Sequence, residues 1–307
     1  MTRPLSGTQY ELHFGDYSAT IASVGASLRS LTYRGRDLVV PFEADSVRPA
    51  YRGAALAPWP NRVAGGAYTF AGRLEQLALT EPERGNALHG LACWLDFGAI
   101  EQTPSRVTLG ATIVPQAGYP HRVDVEVVYE LRESGLYSSI TGVNTGTDAA
   151  PWGTGPHPYL VAGPGRVDDW TLLLPAEQVL EVTEDTLLPR GLASVAEANG
   201  GAWDFREARL IGDVFIDHAF TGLARGASGE ASVELRTAEG SGVAVTWDSA
   251  CPWVQVHTAD QPVPELSRLG LAVEPMTCPP DAFNSGTDLV VLQPGASHTA
   301  GWTISAR

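Results

Sequence analysis

Apolar and polar residues alternate with a period of two along most of this 307-residue chain, and that pattern limits the possible folds more than any other feature. Successive side chains of a strand point to opposite faces, so a two-residue period marks strands buried on one side. Val107, Leu109, Ala111 and Ile113 share one face of such a segment. Val123, Val125, Val127, Tyr129 and Leu131 share a face of the next, with Asp124, Glu126 and Glu130 on its reverse. Shorter runs of this kind cover residues 17–24, 136–143, 243–247, 253–257 and 299–304. The 33 glycines and 22 prolines punctuate them, since both residue types favour turns. Helical periodicity is scarce, and residues 193–198 alone suggest a short helix. The pattern predicts an all-β protein, a large antiparallel β-sandwich or barrel.

The length suits one large all-β domain, and no composition break, charge block or linker divides it, so residues 1–307 read as a single domain. No repeat of propeller length is present. The Gly/Ser/Ala-rich stretch at 225–231 reads as a hairpin loop.

A net charge of −15 argues against nucleic acid or another polyanion as partner. All 20 basic residues are arginine, which excludes a Schiff-base lysine, a pyridoxal-phosphate attachment and a P-loop lysine. Cys93, Cys251 and Cys278 are odd in number and widely spaced, so they form neither a disulfide framework nor a zinc site. Met-Thr-Arg-Pro-Leu-Ser-Gly at the amino terminus has no apolar core of a secretory signal, and no apolar run is long enough to span a bilayer. The expectation is a cytoplasmic protein without a membrane partner.

Several polar groups sit on stiff backbone. His157 lies between two prolines in Gly155-Pro156-His157-Pro158, and neither proline has an N–H to give to a helix or a ladder. Glu274 ends an apolar strand in Ala272-Val273-Glu274-Pro275, where Pro275 is expected to stop the ladder. A rigid imidazole and a rigid carboxylate suit an acid and a base held for proton transfer. Leu56-Ala57-Pro58-Trp59-Pro60-Asn61-Arg62 presents an amide and a guanidinium suited to hydroxyl groups, with Trp59 as a stacking surface. His89 precedes a glycine turn in Asn86-Ala87-Leu88-His89-Gly90. Asp217 and His218 are adjacent in an apolar strand, so they face opposite ways and one of them is expected to point into the core or a pocket. The seven histidines show no chelating spacing and the thiols are unpaired, so no metal is expected. Gly153-Thr154-Gly155 runs into proline and not into a phosphate-binding helix, which argues against a nucleotide.

Taken together, the segments 56–62, 86–90, 155–160, 217–220 and 273–280 resemble, in order, those of the aldose 1-epimerase (galactose mutarotase) family. The resemblance implies a large antiparallel β-sandwich with a sugar-binding cleft, a monosaccharide substrate, no cofactor, and a monomer or homodimer. It also implies roles at matching positions. Glu274 would take the proton from the C1 hydroxyl, and His157 would protonate the ring oxygen, opening the ring to the aldehyde. His89 would sit near the ring oxygen, while Asn61, Arg62 and Asp217 would hold hydroxyls. The residues themselves agree with such a site, since a polyol also calls for an aromatic platform: Trp59 and Trp253 are the candidates, with structural burial the alternative for each. Carboxylates at 217 and 274 are expected to push the His157 pKa upward.

One departure stands out: His257 occupies a position where the family pattern leads one to expect tyrosine. The Ala57–Arg62 and Leu88–Trp94 wording is similar to a bacterial branch, some relatives of which act on sulfoquinovose. A hexose-phosphate epimerase of the same fold would need arginines at the pocket mouth, and Arg48, Arg52 and Arg73 are candidates. A non-catalytic sugar binder would need neither His157 nor Glu274. A glycoside hydrolase would ordinarily use two carboxylates flanking the bond.

Overall fold

The computed structural model describes residues 3–307; the first two residues of the amino-terminal stretch read for a signal lie outside them. A nine-stranded and a six-stranded sheet dominate, with a four-stranded sheet formed by residues 9–37. The nine strands run in the order Gly98–Gln102, Arg106–Ile113, Val123–Arg132, Gly135–Asn144, Ser297–Ala306, Gly242–Trp247, Ala231–Arg236, Thr171–Leu173 and Arg209–Leu210. The six run Tyr159–Leu160, Leu271–Met276, Trp253–His257, Asp217–Leu223, Ala176–Val182 and Pro189–Ser194. Neighbours pair antiparallel throughout both sheets.

The two-residue period sets which side of each strand is buried. Val123, Val125, Val127, Tyr129 and Leu131 are all buried, as are Val107, Leu109 and Ile113, while Glu126 on the reverse face is exposed. These side chains join one continuous apolar core that also encloses Trp152, Trp170 and Trp247. Each aliphatic side chain fully buried there contributes about 1.5–3 kcal/mol. The Tyr129 hydroxyl donates to the Ala26 carbonyl at 2.7 Å, so its one polar atom is satisfied inside the core. The shorter alternating runs become the strands Tyr17–Ala22, Gly135–Asn144, Gly242–Trp247, Trp253–His257 and Ser297–Ala306.

Three local expectations are corrected. Residues 193–198 do not form a helix: Ala193 and Ser194 end the strand Pro189–Ser194, and a turn then leads into the 3-10 turn Ala198–Gly201. Leu192 and Ala193 pair with Leu180 and Val179 across the sheet, and six residues are too few to nucleate a helix against that pairing. The stretch 225–231 is not a hairpin loop. It carries the chain from Asp217–Leu223 in the six-stranded sheet to Ala231–Arg236 in the nine-stranded one, turning at Gly226–Gly229. Local turn chemistry is the same for a hairpin and for a crossing between sheets. The strand Leu271–Met276 is not stopped at Pro275 but runs on through it to Met276, opposite Val254 and Trp253.

The six-stranded sheet is two-sided in a way that positions the site. Phe220, Val254, Val256 and Val273 enter the main core from one face. Residues at the alternate positions, among them Asp217, Gln255, His257 and Glu274, share the opposite face. No helix among the described residues is long and apolar enough to cross a membrane.

Candidate active site

Cross-strand register gathers the first half of the site. Gln255 stands opposite Glu274, and His257 stands opposite Asp217, so four polar side chains from three neighbouring strands project together. Gln255 Nε2 donates to Asp217 Oδ1 at 2.7 Å, and His257 Nδ1 lies 3.9 Å from the same oxygen.

The second half comes from two-stranded pairs. Gly155–Pro156 pairs with Ala55–Leu56, which brings the Pro-Trp-Pro-Asn-Arg segment beside His157. The His157 N–H donates to the Ala54 carbonyl at 3.1 Å, and its carbonyl accepts from the Gly53 N–H at 2.8 Å. Those bonds fix the one residue between the two prolines that has an N–H. Arg62–Ala64 then pairs with Asn86–Leu88 and carries His89 to the same place. Gly90 follows with φ of 74°, and a Cβ there would meet the Ala57 carbonyl oxygen at 2.2 Å, so only glycine fits.

These elements close a polar pocket of about 120 Å³ lined by Asn61, Arg62, His89, His157, Asp217, Gln255, His257 and Glu274. His157 Nε2 lies 3.4 Å from Glu274 Oε1, and both side chains are buried. The Asn61 N–H donates to His89 Nδ1 at 3.2 Å, fixing the His89 ring edge-on to His157 with centroids 4.9 Å apart. Arg62 grips Glu81 through Nε and Nη2, both at 2.9 Å. His157 Nδ1, Glu274 Oε2 and Gln255 Oε1 are buried with no hydrogen-bond partner in the protein. Buried polar atoms of this kind are costly unless paired, and hydroxyl groups of a ligand can pair them.

A sequence model described as aldose 1-epimerase matches residues 8–305. The chain belongs to the aldose 1-epimerase family. Among its relatives, the Escherichia coli (strain K12) protein YihR, described as uncharacterized, is 40% identical over 97% of this chain and 93% of its own length. The aldose 1-epimerase of the same organism is 28% identical over 69% of this chain and 64% of its own length. The galactose 1-epimerase of Lactobacillus acidophilus shares the fold, with a TM-score of 0.82, 19% identity, and coverage of 100% of this chain and 97% of that one. The antiparallel β-sandwich expected from the family resemblance is therefore the fold observed.

All six polar positions expected from that family pattern, Asn61, Arg62, His89, His157, Asp217 and Glu274, line the pocket. The two candidate platforms do not, and both take the buried alternative. Trp59 is buried in the core with its edge against Phe283, and Trp253 is buried beside Leu180, Ala219 and Met276 while its Nε1 donates to Asp288 at 2.7 Å. The pattern around each is apolar, and both indoles are drawn into packing. Arg48, Arg52 and Arg73 are likewise elsewhere. Arg48 is buried, bonded to Ser27 and the Cys93 carbonyl, under Trp94. Arg52 lies over Tyr159, and Arg73 lines a separate surface recess with Phe70 and His121.

Sequence reasoning gave no role to Gln255, Glu81, Tyr51, Trp203 or Arg190. Gln255 is two residues before His257 and therefore on its face, a signal that was available. Tyr51 packs on the His89 ring at 4.6 Å and on His157 at 6.2 Å from a turn with no regular period, and it left no trace in the pattern. Outside the pocket a broader cleft of about 770 Å³ continues past Arg62, Asp217 and His257 to Trp203, Phe215, Arg84 and Arg190.

Burial governs the electrostatics. It lowers the His157 pKa to about 3, with the charge of His257 adding to the effect, and it outweighs the Asp217 carboxylate that was expected to push the value up. Burial also raises Glu274 well above the usual carboxylate range, reinforced by Asp217. His89 is held well below its ordinary value by burial and then by His157. Burial thus disfavours the charged form of both partners, the Glu274 carboxylate and the His157 imidazolium. His89, His157 and Glu274 offer donor atoms within 4.8 Å of one another, close enough to hold a metal ion.

Proposed function

We propose that this protein interconverts the α and β anomers of a free aldose by acid/base ring opening and reclosure. The observation that carries the reading is the 3.4 Å approach of His157 Nε2 to Glu274 Oε1, both buried in a pocket of hydroxyl-binding groups. Once the proton of the pair has passed from Glu274 to His157 across the 3.4 Å between them, Glu274 accepts the C1 hydroxyl proton and His157 donates to the ring oxygen. The C1–ring-oxygen bond breaks and C1 becomes an aldehyde. The pair still holds one proton, now on Glu274, which is the form that burial favours. Rotation about C1–C2 presents the other carbonyl face; closure returns the proton to His157. Asn61, Arg62 and Asp217 hold the other hydroxyls, and His89 sits near the ring oxygen. The chain acts as one domain, since strands from both of its halves supply these groups.

An aldose with an anionic substituent at the end far from C1, phosphorylated or sulfonated, is the second reading. Arg190 supports it, because it lines the outer cleft and has no carboxylate partner among the described residues. Polarimetry of freshly dissolved α-anomers of glucose, galactose, arabinose, sulfoquinovose and a hexose 6-phosphate tests both. Acceleration of mutarotation for at least one is expected; none accelerated would overturn the proposal.

A further inference from the structure

We infer that Tyr51 and Tyr159 are positioning residues, whose rings hold the His157 imidazole in the plane from which Nε2 meets Glu274. The inference rests on the mutarotase reading and goes beyond it, since it says how the proton donor is aimed. A catalytic histidine is ordinarily oriented by a hydrogen bond from its second ring nitrogen to a carboxylate or a carbonyl. His157 has no such bond: Nδ1 is buried and makes none to another residue, while Nε2 faces Glu274 Oε1 at 3.4 Å. Pro156 and Pro158 stiffen its backbone, but rotation about the bonds of the side chain is left to packing. Two aromatic rings supply that packing. The Tyr159 ring lies 5.1 Å from the His157 ring and 29° from parallel, and the Tyr51 ring lies 6.2 Å away and 26° from parallel. Offset stacking of this kind resists turning of the imidazole out of its plane.

The two tyrosines are tied to each other through strained backbone. Ala50 and Tyr51 are consecutive non-glycine residues in the left-handed region, with φ of 46° and 54°, a conformation that persists only where its surroundings enforce it. The Tyr159 hydroxyl donates to the Ala50 carbonyl at 3.1 Å, and the Ala54 N–H donates to the Tyr51 carbonyl at 3.0 Å, so two bonds close the turn. Tyr159 in turn pairs with Ala272, two residues before Glu274 on the same strand. The proposed base and the aromatic wall against the proposed acid therefore share one ladder. Tyr51 is half-buried and packs by its ring, edge-on to His89 at 4.6 Å and against Trp94 at 5.9 Å. The Arg48 guanidinium lies 4.4 Å from the centre of the Trp94 ring and completes the support.

Steady-state polarimetry and imidazole NMR of the full chain test the clamp. Tyr51→Leu should lower kcat about 10–100-fold with KM changed less than about threefold, since misaiming a proton donor penalises the reaction and not the binding of sugar. Tyr51→Phe keeps the ring and should keep kcat. At position 159 the same change removes the bond to Ala50, and Tyr159→Phe should lower kcat about threefold to tenfold. Wild-type kcat in a folded Tyr51→Leu, or an equal loss in Tyr51→Phe and Tyr51→Leu, overturns the proposal; wild-type kcat in Tyr159→Phe overturns the tie between the two tyrosines. The His157 Cε1–H resonance, assigned by its loss in His157→Asn, gives a readout free of catalysis. One narrow signal is expected in the wild type and in Tyr51→Phe, and a broadened or doubled one in Tyr51→Leu. That pattern in a protein that mutarotates no sugar supports the clamp although the mutarotase reading fails. A single narrow signal in Tyr51→Leu overturns the clamp and leaves the mutarotase reading intact.

Discussion

Arg62 and Glu81 meet through two parallel N–H···O bonds of 2.9 Å, in a setting that leaves both side chains largely buried. The pair aims the guanidinium into the pocket and removes its freedom to swing. Arg62→Ala would strand the Glu81 carboxylate as well as remove a donor to the sugar. It should lower kcat/KM about 10–100-fold, the equivalent of one charged hydrogen bond at about 1.5–3 kcal/mol. Asp217→Ala, which loses the partner of Gln255, should act similarly. Steady-state polarimetry on the best substrate checks both, and wild-type kinetics in two folded variants would place the site elsewhere.

Activity should hold a broad plateau through neutral pH. The pair works with one proton, and that count is unchanged until His157 also becomes protonated at low pH or Glu274 loses its proton at high pH. Burial places the first event near 3 and the second above the usual carboxylate range, so the limbs lie far apart. Rates measured across pH check this; a narrow optimum would contradict it. Glu274→Gln should fall to the spontaneous rate, because an amide accepts no proton. His157→Asn should lower kcat strongly, with a residue of activity if His89 acts as acid. A His157→Asn enzyme with near-normal kcat would remove His157 from the chemistry.

The same burial links the site to stability. Glu274 has a raised pKa in the folded protein, so its contribution is fully present below the unfolded value and is lost as pH rises toward the folded one. His157 runs the other way, with stability rising as pH climbs from about 3 to its unfolded value of about 6.5. Glu274→Gln removes only the first of these. Its Tm relative to wild type should therefore increase between about pH 5 and about pH 8. Calorimetry at the two pH values tests it, and a difference that shrinks would be the contrary result.

Chelation should not matter to turnover. The proton transfers proposed for His157 and Glu274 use the same atoms that a metal would occupy in the His89–His157–Glu274 cluster. Excess EDTA should leave the mutarotation rate unchanged; loss of activity restored by a divalent ion would refute the acid/base scheme.

The strands were legible because burial of one face imposes a two-residue period, as at Val123–Leu131. His157 and Glu274 were legible because proline beside a titratable residue is visible in any sequence. Their protonation was not. Counting nearby carboxylates suggested a raised His157, whereas the cost of charging so deeply buried an imidazole dominates, and desolvation depends on neighbours remote in sequence. The choice between platform and core for the two tryptophans has the same origin. Trp59 lies in the expected segment, yet whether an indole faces a cleft or Phe283 is decided by tertiary packing. Trp203, which does line the cleft, sits in irregular chain without any pattern to announce it.

Arginine as the fixed cation of the pocket has a chemical consequence for an open-chain sugar. Under the proposed ring opening, an aldehyde formed beside Arg62 would meet a delocalised guanidinium held by Glu81 and not a primary amine. Condensation to an imine, which a lysine at that place would invite, has no side-chain partner there or at any other position of this lysine-free chain. A pocket so built could hold a reactive carbonyl and let it go, unmarked by it.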